Sequence, residues 1–170
     1  MSKNYTCVSI YTSYQAAEQA IEKLYLITTD IKAVSIISKG HNNAEHLIGF
    51  YSTGEGARFH GEQAKFWNQQ WQRLSGASFF WLPRYGPLAA AGPIVNLLVE
   101  GLRELDLSGG MNVLGVALFN AGIPRDSVKQ YENAVKADMF LLIVHGEQSQ
   151  VEKACEILHS AKQQVTVHIA

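Results

Sequence analysis

The chain predicts an α+β fold: a ferredoxin-like βαβ–βαβ sheet with two-layer packing and a glycine-rich helical hairpin inserted between strands two and three. Three observations lead there. A β-α-β phrase stands at each end of the chain, its two helices align in register, and the segment between them has a different texture. In the helices, Ala17-Glu18-Gln19-Ala20-Ile21-Glu22-Lys23-Leu24 matches Val151-Glu152-Lys153-Ala154-Cys155-Glu156-Ile157-Leu158, sharing Glu, Ala, Glu and Leu. Two such units about a pseudo-two-fold make a four-stranded antiparallel sheet with both helices on one face.

Tyr5 to Tyr11 reads as the first strand, with Val8 and Ile10 on one face and Ser9 and Tyr11 on the other. Thr12 followed by Gln15 forms a capping box for the first helix. Ala17, Ala20, Ile21, Leu24 and Ile27 then recur at helical spacing as a stripe facing a sheet. Ala33 to Ser38 is the second strand, β-branched and bounded by Gly40. Met139 to Val144 is apolar on both faces, as a central strand requires. Ser149 with Glu152 opens the second repeat helix, where Val151, Ala154, Cys155 and Leu158 renew the stripe. Gln164 to Ile169 closes the sheet by alternation, with His168 on its polar side.

The middle is different. All four of the chain's prolines fall there, with Pro83, Pro87 and Pro93 close together, and no charge occurs from Tyr85 to Val99 or from Leu107 to Pro124. A polar elbow, Glu100 to Asp106, separates these runs, so they read as the arms of a hairpin. Small residues along both arms let helix backbones approach closely. Gly122-Ile123-Pro124 ends the hairpin, and Asp126 and Ser127 sit at the start of a helix whose stripe is Val128, Tyr131 and Val135. Residues 1–40 and 125–170 together form the sandwich, and 41–124 is the insertion.

Composition limits the function classes. Of the 170 residues, 47% are hydrophobic and only 17% charged, so more surface than usual is hidden. A net charge of −1 gives no global attraction to nucleic acid or anionic lipid. Cys7 and Cys155 have no metal or redox spacing. Cys155 takes the repeat position of Ile21 and reads as a small buried hydrophobe, which suits a reducing cytoplasm. The chain enters its first strand without a secretory h-region, in keeping with that compartment.

Candidate chemistry is sparse. His41 and His46, with His60, are weak metal candidates, because five-residue spacing turns two helical histidines to different faces. Gly54 to Gly61 misses the dinucleotide spacing and has no β-α-β context, and Arg58 within it is a surface cation. His145 ends a central strand ahead of Gly146 and a helix, a place where packing or capping competes with anion binding. His159 falls on the outer face of its helix. Phe66, Trp67 and Trp71 have only Lys65 and Arg73 beside them, too few cations for a nucleic-acid platform. No residue set nominates a reaction or a cofactor.

The stretch from Gly122-Ile-Pro-Arg to His145-Gly146, with Gly49-Phe50-Tyr51-Ser52-Thr53-Gly54, Phe66-Trp67, Phe79-Phe80-Trp81-Leu82-Pro83, Gly86-Pro87 and Ala91-Gly92-Pro93, resembles one family over nearly the whole chain. That family is the general stress protein 17M-like (heat-induced stress protein) group of bacterial proteins of unknown function. The resemblance implies an α/β domain interrupted by a glycine-rich hairpin, and no activity. Around Phe66-Trp67 the chain departs from the family's glycines, carrying Lys65, Asn68, Gln69 and Gln70, which weakens a membrane reading.

A spanning helix needs about 20 mainly apolar residues. The second arm includes Ser108, Asn112 and Asn120, and the first reaches that length only with Arg84 and its prolines. A central arginine costs ~2.5–3.5 kcal/mol on insertion scales. The expectation is therefore a non-enzymatic, cytoplasmic, stress-associated protein that self-assembles or scaffolds through its hairpin. It is a homo-oligomer with a dimer favoured, with Phe79, Phe80, Trp81, Leu97 and Leu98 partly across the interface, and no nucleic-acid partner. The alternatives are an inner-membrane-associated protein with the hairpin in or on the bilayer, and a small-ligand or metal sensor.

Overall fold

A computed structural model describes residues 5–27, 34–39, 51–53, 77–82, 86–103, 113–159 and 164–169. The strands are β1 (Tyr5–Tyr11), β2 (Val34–Lys39), β3 (Tyr51–Thr53), β4 (Ala77–Leu82), β5 (Gly86–Ala91), β6 (Phe140–Gly146) and β7 (Gln164–Ile169). The helices among the described residues are α1 (Tyr14–Ile27), α2 (Ile94–Arg103), α3 (Val113–Asn120), α4 (Arg125–Lys136) and α5 (Gln148–His159). These seven strands of the described residues join one sheet in the order β3-β4-β5-β2-β6-β1-β7, and every neighbouring pair is antiparallel. The protein is α+β, with the terminal segments meeting at the sheet: β6 lies between β1 and β2, and β7 lies outside β1.

Strand alternation sorts the core into two halves. Cys7 and Tyr11 of β1 and Phe140, Leu142 and Val144 of β6 face the stripes of α1 and α5. Both helix stripes are buried: Ala17, Ala20, Ile21 and Leu24 on α1, and Val151, Ala154, Cys155 and Leu158 on α5. Val8, Ile10, Leu141 and Ile143 point the other way, into a second core with α2, α3 and α4. The molecule thus has three layers, where the repeat alone predicts two. The cause is β6, whose apolar residues on both faces need a cover on each side.

The insertion also departs from a loop plus helical hairpin. Its first uncharged run divides at Gly92-Pro93 into strand β5 and helix α2. Ala89, Ala90 and Ala91 are buried in β5, paired with β2 on one side and β4 on the other. A short apolar run has no period to separate strand from helix, and tertiary pairing decides. Helix α2 packs against α3. A Cβ added at Gly101 would meet Val113 Cγ1 at 3.0 Å, so the small residue does let the two helices close.

Helix ends follow local chemistry, displaced slightly from the predicted caps. Ser13, one residue after Thr12, caps α1: its Oγ accepts from the Ala16 N–H at 3.2 Å. The first turn of α5 closes on the Glu147 carbonyl, so Ser149 lies inside the helix. Helix α3 ends in a Schellman motif, with the Gly122 N–H donating to Phe119 O and the Ile123 N–H to Leu118 O. Gly122 holds φ of 105°, the left-handed conformation this motif requires. Pro124 then precedes α4, and Val128, Tyr131 and Val135 are buried as the stripe predicts. No helix among the described residues is long and apolar enough to cross a membrane.

Candidate functional site

The functional groups that the fold brings together lie on the α1–α5 side of β1. A period of two puts Cys7, Ser9 and Tyr11 on one strand face, and all three are fully buried. The stripe of α5 carries Cys155 to the same core cluster. The two thiols, from opposite ends of the chain, therefore share one buried core. Both cysteines are free. Ser9 Oγ and Tyr11 OH are buried without a well-formed hydrogen bond.

Burial sets the electrostatics of this seam. Loss of water pushes the Cys7 thiol far above its ordinary range, and the Cys155 sulfur beside it adds to the effect. Burial also raises the Cys155 thiol, while the neighbouring Cys7 thiol acts against that rise. The Tyr11 phenol is pushed up to about 12, chiefly by desolvation. At neutral pH these groups are uncharged, which suits an apolar core and makes the thiols slow nucleophiles.

On the opposite face, Thr6 pairs in register with His145 of β6 and with His168 of β7. Thr6 Oγ1 donates to Ala121 O at 3.1 Å, tying the end of α3 to β1. His145 is partly buried, its Nδ1 is buried without a partner, and desolvation lowers its pKa.

The predicted site residues are distributed differently. His41, His46 and His60 lie outside the described residues, and no cluster of three metal-ligating side chains occurs among those described. Phe79, Phe80 and Trp81 fall on β4, opposite Ala89, Leu88 and Pro87 of β5. Leu97 is half-buried. Leu98 is fully buried in the chain's own core, among the residues of α2, α3 and α4. Phe119, which the sequence reading passes over, is 47% exposed at the end of α3. The shared burial of the two thiols is likewise invisible to spacing rules, because it joins two distant positions through a helix stripe and a strand face. No protein-family model matches the chain, and no curated protein or solved structure matches it.

Proposed function

We propose that this chain is a non-enzymatic, stress-associated cytoplasmic protein that self-assembles, with a homodimer as the favoured state. Its terminal repeats act as a ferredoxin-like platform, in keeping with the strand order β7-β1-β6-β2, and the chain is a relative of the general stress protein 17M-like group. The observation that carries the assembly reading is strand β7. It stands at an edge of the sheet, pairs with β1 on one side, and has no strand partner on the other among the described residues. Its sequence, Gln-Val-Thr-Val-His-Ile, contains neither a formal charge nor a proline. Edge strands are ordinarily blunted by shortness, charge, proline or a bulge, because their open backbone groups recruit another strand. At the far edge β3 is only three residues long, whereas β7 runs for six. A second β7 related by a two-fold would add antiparallel backbone bonds without opposing like charges.

Sedimentation of the full chain at micromolar concentration tests this directly. A dimer that dissociates in the Thr166→Lys/His168→Lys variant, with unchanged circular dichroism, supports the reading. A monomeric wild type overturns self-assembly, and a variant that stays dimeric removes β7 from it. Co-flotation with liposomes would favour the membrane-associated alternative instead.

A further inference from the structure

We propose that assembly through β7 also seats helix α5 on α5 of the second copy, and that Glu152 and Glu156 facing each other there make the dimer tighten as salt rises. This rests on the β7 pairing proposed above and adds a second contact surface to it. Helix α5 packs on β1 and β7, while α1 lies inboard on β1 and β6, so α5 is the outermost described helix on its face. A two-fold that pairs two β7 strands antiparallel stands perpendicular to the sheet and keeps both α5 helices on one face. Each helix lies about half a strand spacing inside its own edge, which sets their axes two strand spacings apart, about 10 Å. Packed helices are separated by roughly 8–10 Å, so the two copies of α5 meet side by side and antiparallel.

The helix period decides which side chains face the second copy. Val151, Ala154, Cys155 and Leu158 are turned to the sheet. At ~100° per residue, Gln150 and Ile157 fall on one flank and Gln148 and Glu152 on the other, with Glu156 above the latter. Gln150 and Ile157 are partly buried, as the flank beside α1 should be, and Ile157 packs against the core. Gln148, Glu152 and Glu156 are exposed on the flank beyond which the second copy stands. A right-handed β6–α5–β7 crossover gives the same orientation. Gln148 Nε2 donates to Glu152 Oε1 at 2.8 Å and holds that carboxylate along the flank. Lys153 falls nearer the α1 side by the same period and does not stand between the facing carboxylates. The uncharged strands therefore attract while the acidic helix flanks repel. That repulsion acts between exposed charges within about one Debye length at moderate salt, so added salt screens it and leaves the strand ladder intact.

The test is the dimer dissociation constant of the full chain, from sedimentation at about pH 8, where histidine is neutral. Between ~20 and ~500 mM sodium chloride the wild-type Kd should fall by roughly three- to tenfold. Glu152→Gln/Glu156→Gln should bind at low salt within about twofold of wild type at high salt, and should lose the salt dependence. Glu22→Gln/Glu100→Gln changes net charge equally but lies away from the axis, so its salt dependence should match wild type. All three proteins carry only surface changes, and circular dichroism checks their fold. A dimer that dissociates in Thr166→Lys/His168→Lys but shows the same salt response in wild type and Glu152→Gln/Glu156→Gln overturns this inference alone. A Kd that rises with salt, or does not change, overturns it as well. A wild type that stays monomeric at every salt concentration overturns both this inference and self-assembly.

Discussion

Ser35 Oγ in β2 accepts a hydrogen bond from the backbone N–H of Ile94 at 3.1 Å, so a strand hydroxyl caps the helix that follows β5. Ser38 Oγ, further along the same strand, donates to Met139 O at 3.2 Å where the chain enters β6. With Thr6 and Ala121 these contacts pin the helical layer to the sheet through hydroxyls that would otherwise be buried at a cost. The polar positions of these strands are therefore fasteners between layers.

Ser35→Ala removes the cap and leaves the Ile94 N–H without this acceptor. The expected loss is about 1–2 kcal/mol, read as a lower urea midpoint with unchanged m-value. An unchanged midpoint would mean that the contact contributes nothing to stability.

Gly92 holds φ of 95°, and a Cβ there would collide with Val34 O and lie 2.8 Å from Ser35 Cα. Both colliding atoms belong to the β2 backbone, which is held between β5 and β6 and cannot yield cheaply. Gly92→Ala should therefore cost roughly 3 kcal/mol or more, by strain and by displacement of the Ser35 cap. Thermal denaturation followed by circular dichroism would report it, and a melting temperature within a degree of wild type would contradict it.

Tyr11→Phe deletes a buried hydroxyl that lacks a well-formed bond and keeps the ring in the core. At neutral pH this variant should match or exceed wild-type stability, by up to ~1 kcal/mol. The alkaline limb provides a second reading. The unfolded phenol ionises near 10.0 and the folded one near 12, so above 10.0 the unfolded state binds fewer protons and stability falls as pH rises through that window. Tyr11→Phe should flatten this decline in urea melts taken across it.

His145 gives the opposite limb. Its folded pKa lies below the ordinary 6.5, so as pH falls through 6.5 the unfolded state takes up a proton that the folded state resists. Stability should drop on the acid side of 6.5, and His145→Gln should weaken that dependence. Equal slopes in wild type and variant would remove His145 as the cause.

Much of the architecture was readable because burial repeats with the period of the element. The Ala17–Leu24 and Val151–Leu158 stripes, the two-sided apolarity of β6 and the Gly122 stop each have a local physical cause, and each appears in the structure. The uncharged run from Tyr85 to Val99 was not readable in this way. Its division into β5 and α2 depends on pairing with β2, which no local period announces. Cap positions moved by one or two residues because neighbouring hydroxyl and carbonyl groups compete for the same N–H donors.

Sequence alone determined that a β-α-β segment stands on each side of a weakly charged, glycine-rich middle, because hydrophobic periodicity is a property of near neighbours. Only the tertiary structure decided that the middle adds strands to the sheet and helices to its second face. It alone decided that Leu98 is spent inside, and that two cysteines from opposite ends share one core. Those outcomes rest on contacts between distant segments, and their energy depends on which faces meet once the chain has closed.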